Sequence, residues 1–198
     1  MSLSDTVLET QPTESTIAVS PISERTAQPI SRLARIIVQA SRFAGDAYGL
    51  DNGERAALAR LDPEGALRPH QIAALSRALI YAELEPDTWK PDTWRRWALI
   101  AHGMALAEHD ASLSLGQQLS QAGVSESRVT KLLTARGDAF RQLLPPLLRL
   151  LASKSTAPNW QELGGLILSQ ERDEGKAEEI RLKIAGRFFS AEAKQPRH

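Results

Sequence analysis

The chain has no cysteine among its 198 residues. This excludes disulfides, thiolate zinc sites and cysteine nucleophiles, and it fits the reducing cytoplasm. Net charge is absent as well, since 24 basic residues balance 24 acidic ones, so a histone-like polybasic protein is ruled out. No apolar run approaches the ~20 residues of a membrane span, and no basic stretch followed by a hydrophobic one marks a secretion signal at the N-terminus. A soluble, intracellular protein without membrane partners is expected. Missing too is any convincing alternation of apolar and polar residues, so no strand is predicted.

What remains is helix after helix, and the expected fold is all-α: a two-lobed helical bundle of about eight to nine helices. Residues 1–29 hold four acids (Asp5, Glu9, Glu14, Glu24), one base (Arg25) and few large apolar side chains. Such a segment cannot offset its ordering entropy, so it reads as a disordered leader. An N-terminal lobe is expected over 30–111 and a C-terminal lobe over 112–198.

In the first lobe Leu33, Ile36, Ile37, Ala40 and Ala44 form one stripe on a helix that stops near Gly49. A short helix spans Gly53 to Leu61. Pro69 opens a third, striped by Ile72, Leu75, Leu79 and Ala82. Trp94, Trp97, Ala101, Met104 and Ala105 share a face of the fourth. The second lobe begins with a short helix from Ser114 to Ala122 and a turn at Gly123. Ser125 is placed to cap the next helix through its hydroxyl, with Val129, Leu132 and Leu133 pointing inward. Pro145 and Pro146 either start or kink the helix that follows. A helix over Asn159–Leu168 is anchored by Trp160, and a last one over Glu174–Ala191 buries Ala177, Ile180, Ile184 and Phe188.

Charge is where the sequence speaks of function. Between Arg128 and Lys154 stand Arg128, Lys131, Arg136, Arg141, Arg149 and Lys154 against a single acid, Asp138. Local repulsion is uncompensated there unless an anion binds, and a nucleic-acid backbone is the natural anion. On the final helix Lys176, Lys183, Arg187 and Lys194 form one line, and Glu179 is placed to pair with Lys183 at the favourable i, i+4 spacing.

Other constellations carry less. The helix, glycine turn and helix of LGQQLSQAGVSESRVTKLL has helix-turn-helix spacing, and a DNA-binding regulator is the alternative function; Ser125, Ser127, Arg128 and Lys131 would then meet base edges. Against it, Leu119 stands where such motifs favour a small residue. Of four Trp residues, Trp97 and Trp160 read as core, and Trp89, in a Pro-flanked loop, is the one expected to be exposed. His102 and His109 are seven apart, which is not a metal-ligand spacing. No nucleophile, base and orienting group can be assembled, so neither catalysis nor a cofactor or metal is expected.

GERAALARL, WALIAHGMALAEH, the long SLGQQLSQAGVSESRVTKLLTARGDAFRQLLPPLLRLL and NWQELGGLIL, in that order, resemble the CasB family, the small subunit of the type I-E CRISPR complex Cascade. The resemblance covers about residues 30–190. It implies a non-enzymatic helical protein, present as two copies lying head to tail beside the backbone, head and tail subunits of Cascade. It further implies contact with guide RNA paired to target DNA and with the displaced single strand, without sequence preference. Carried onto this chain, the nucleic-acid contacts are Arg55, Arg60, Arg128, Lys131, Arg136 and Arg141, with Arg181, Lys183 and Arg187 as further candidates on the last helix. Pro145 and Pro146, and the acidic leader, depart from the family pattern.

Overall fold

A computed structural model describes residues 21–39 and 49–194. Among them there are nine α-helices, one 3-10 turn and no strand. The helices are α1 (Pro21–Gln39), α2 (Asn52–Ala59), α3 (Pro69–Tyr81), α4 (Pro91–Ala107), α5 (Leu115–Gln121), α6 (Glu126–Thr134), α7 (Gly137–Ser153), α8 (Trp160–Ser169) and α9 (Glu174–Glu192). The all-helical reading is thereby shown. Helix α1 starts at Pro21, so its first nine residues overlap the stretch assigned to the leader. The rest of that leader, together with Ala40, Ala44 and the expected helix end near Gly49, lies outside the described residues or at their edge.

Local chemistry sets most of the boundaries. Asp51 accepts the Glu54 backbone N–H while Glu54 accepts that of Asp51, a reciprocal cap that starts α2. Pro69 and Pro91 open α3 and α4, where a missing N–H costs nothing. Ser114 caps α5 through Gln117. Ser125 precedes α6 without the expected hydroxyl cap. Helix α7 runs unbroken through Pro145 and Pro146, so these residues neither start nor end it.

Helix α4 is the centre of the molecule, packing against α1, α2, α7 and α8. It is accordingly buried on nearly all sides from Arg96 to Ala101, a wider face than the single stripe expected. Helix α8 in turn packs on α1, α4 and α9. One hydrophobic cluster therefore runs from Ile30 and Leu33 through Leu75, Ile100 and Met104 to Leu148, Trp160 and Phe188. Each such side chain contributes roughly 1.5–3 kcal/mol on leaving water.

Helix α5 lies so close to α9 that a Cβ at position 116 would come within 2.6 Å of the Phe188 backbone nitrogen. Only glycine allows that approach, and it fixes the edge from which α6 projects.

Candidate nucleic-acid interface

Helix α6 is amphipathic: Val129 and Leu132 are buried, while Ser127, Arg128, Thr130 and Lys131 are exposed. Arg128 and Lys131 are three residues apart, which puts both on one edge of the helix. That edge borders a groove of about 170 Å³ between α6 and α7, with Leu132, Leu143, Pro146, Leu147 and Leu150 forming its apolar wall. The prolines in α7 have a visible effect here. The Pro146 ring is apolar and forms part of the groove wall.

Neither Arg128 nor Lys131 has a carboxylate or hydrogen-bond partner among the described residues. Two like charges at this spacing repel by a few tenths of a kcal/mol on an isolated helix. An anion laid along the edge relieves that repulsion.

The expectation that Asp138 is the only acid within reach of this region is overturned. Arg136 donates to Glu174 at 2.9 Å and to Glu178 at 3.2 Å, both on α9. Arg141 pairs with Asp138 and also lies 3.5 Å from Glu64 and from Glu171. Apart from Asp138 these acids are distant in sequence: Glu171, Glu174 and Glu178 come from the α8–α9 connection and α9, and Glu64 from the segment between α2 and α3.

The remaining candidates divide in the same way. Arg55 is bound to Glu108 at 3.2 Å. Lys183 meets Glu162 of α8 at 3.1 Å and not Glu179, since α8 packs on that side of α9. Arg181 is buried, with Nη1 2.6 Å from Glu174 and 3.2 Å from Glu178, and it cannot reach a bound polymer. Glu174 is consequently held below the usual carboxylate range, first by its hydrogen bond from Arg181. Arg60 and Arg187 are exposed and without acidic partners among the described residues; Arg60 follows the end of α2 and Arg187 stands on α9.

Gly123 turns the chain between the two helices of the helix-turn-helix spacing, with φ +69°, and α5 packs chiefly on α9 while α6 is shared between α9 and α7. Of the two histidines, His102 Nδ1 lies 3.1 Å from the Leu58 carbonyl, and His109 Nδ1 lies 3.2 Å from the Trp160 backbone nitrogen and 3.4 Å from the Pro158 carbonyl. Burial lowers the pKa of both. Among the described residues no group of three or more His, Asp or Glu side chains is placed to hold a metal ion, and no helix is long and apolar enough to cross a membrane.

An all-α protein with a helix-borne cationic edge is the class that this fold and site define. The family model for CRISPR-associated protein Cse2 matches residues 54–189, which is most of the chain and includes α6 and its groove. The chain belongs to that family, and is thereby a subunit of the CRISPR complex Cascade. No curated protein and no solved structure matches it.

Proposed function

We propose that this chain is the non-catalytic small subunit of a type I-E Cascade, and that within the complex it holds nucleic-acid backbone without reading sequence. The observation that carries this is the pair Arg128 and Lys131: adjacent on an exposed helix edge, bordering a groove, and without partners among the described residues. A cation already satisfied by a carboxylate has little to gain from a phosphate. One left open has much, because binding releases counterions from the polyanion.

In such a complex base pairing between guide RNA and target strand chooses the sequence. The exchange of DNA duplex for RNA–DNA duplex is nearly balanced in free energy, so a few backbone contacts to the target DNA and the displaced strand tip it forward. A protein that grips phosphates and ignores bases suits that task. On this reading the basic surface belongs to the C-terminal lobe from residue 112, a second copy and the backbone, head and tail subunits are neighbours, and the work is done in the cytoplasm.

Titrating the chain with fluorescent single-stranded and duplex DNA at several salt concentrations tests the proposal. Affinity falls steeply with salt, with a slope of about −0.7 per phosphate neutralised on a single strand, and varies little with sequence. Replacing Arg128 and Lys131 together by Ala lowers affinity at unchanged helical circular dichroism. A pair of substitutions that leaves affinity where it was defeats the proposal.

A further inference from the structure

A second cavity, larger than the groove at α6, lies elsewhere in the described part of the molecule. It has a volume of about 460 Å³ and lies between the 63–67 turn, α3 and the start of α4. Trp89, Trp94, Pro91, Leu67 and Ile72 form its walls, and Arg95 is the one charged residue lining it. This size is within the range of sites that enclose a small planar ligand.

Its aromatic wall is ordered. Trp89 stacks on the buried Trp97, with centroids 5.7 Å apart and planes 19° from parallel, and meets Trp94 edge to face at 6.0 Å. Trp89 is thus half-buried and braced, not the free loop side chain that its Pro-flanked position suggested. Neither the Trp89 nor the Trp94 indole N–H has a partner among the described residues, and both side chains keep part of their surface open.

The charge beside this wall is positive. Arg95 is exposed without a carboxylate partner among the described residues, and so are Lys90 and Arg68, the sequence neighbours of Pro91 and Leu67. Of the acids next to the lining in sequence, Asp92 is paired with Arg96 at 2.9 Å and Glu64 with Arg141 at 3.5 Å, while Asp62, whose carboxylate lies beside Gly65, accepts the Glu64 backbone N–H and has no cationic partner among the described residues. Indole surface, open N–H donors and an unpaired guanidinium together fit one ligand chemistry, a flat heteroaromatic ring tethered to an anion.

We propose that this pocket takes one unpaired nucleobase of a single strand, with the base against Trp89 and Trp94 and its phosphate on Arg95. The proposal rests on the reading that the chain binds nucleic-acid backbone, and it adds a second, base-dependent point of grip. Stacking on an indole is tolerant of base identity, so the grip adds affinity for unpaired DNA without adding sequence choice.

The full chain is titrated by fluorescence anisotropy with a fluorescein-labelled oligothymidylate and with an abasic strand of equal length and charge. The base-bearing strand should bind at least about fivefold more tightly. Trp89→Leu and Trp94→Leu, which keep apolar bulk beside Trp97, should each reduce that ratio towards one while leaving the abasic affinity unchanged; the unchanged affinity also reports an intact fold. Arg128→Ala with Lys131→Ala should weaken both strands and preserve the ratio. A wild-type ratio near one, or a ratio that survives both Trp substitutions, overturns the pocket while the phosphate reading stands. Failure of both strands to bind defeats the phosphate reading and the pocket with it. If the Trp variants keep the ratio but no longer enter the complex with the other Cascade subunits, the pocket is a protein contact and the proposal is wrong.

Discussion

Trp160 occupies the space that a side chain on Gly103 would need: a Cβ at that position would fall 2.5 Å from Trp160 Cζ2 and 2.9 Å from Leu148 Cδ1. The indole N–H donates to the Glu108 carbonyl at 2.7 Å, so the same residue fills the core and fastens α8 to the end of α4. Gly103→Ala should therefore destabilise the fold by about 1–3 kcal/mol, the usual cost of overpacking a filled core. For a chain of this size that is a fall in Tm of several degrees. Scanning calorimetry measures it, and an unshifted transition would mean that Trp160 does not sit there.

The same contact explains why helix order was legible in the sequence and the site only half so. Pro69, Pro91 and Ser114 act within a few residues of themselves, and the helices expected to begin there do so, while the helix expected from Gly53 begins at Asn52 behind the Asp51 cap. Ion pairs obey no such locality. Arg136 finds its acids 38 and 42 residues further on, and nothing in the run from Arg128 to Lys154 announces Glu174 or Glu178. Ile72 was counted in a buried stripe but is 45% exposed, because the buried face of α3 is Gln71, Ala74, Leu75, Ala78 and Leu79, one position round. The openness of Arg128 and Lys131 was legible for a local reason: their helix is short, and its only nearby acid, Glu126, precedes them.

Arg136 separates charge count from charge availability. If the local excess of basic residues were what bound DNA, Arg136→Ala would weaken binding as much as Arg128→Ala. Because Glu174 and Glu178 already hold Arg136, its removal should change affinity by less than about twofold and leave the salt slope intact, whereas Arg128→Ala should reduce the slope by about one contact. Parallel salt titrations of the two variants measure the difference.

The two histidines give a pH dependence of definite sign. Burial depresses both pKa values in the fold below the ordinary 6.5, with hydrogen bonds from the rings to the Leu58 and Pro158 carbonyls opposing in part. A depressed pKa means that the folded state prefers the neutral ring, so this stability is fully present above pH 6.5 and is lost as pH falls below it. His109 Nδ1 lies between the Trp160 N–H, which needs it unprotonated, and the Pro158 carbonyl, which needs it protonated, and burial decides for the neutral ring. Tm should therefore drop between pH 7 and pH 5, and the drop should be smaller in a His102→Gln, His109→Gln variant.

Arg181 tests whether a buried charge here is structural necessity or replaceable volume. Its Nη1 is bound, but Nε and Nη2 are buried without a hydrogen-bond partner among the described residues. Glu174 and Glu178 keep Arg136 if Arg181 is lost, and they are solvent-exposed, so no carboxylate is stranded. Under those conditions exchanging a buried ion for an apolar side chain of similar volume is commonly neutral or stabilising. Arg181→Met should accordingly keep or raise Tm, while Arg181→Ala, which opens a cavity beside Ala177 and Ile184, should lower it. Neither change should alter DNA affinity by more than about twofold, because the guanidinium is out of reach of a polymer. A large loss of binding in the folded Arg181→Met variant would place the interface on α9 instead of α6.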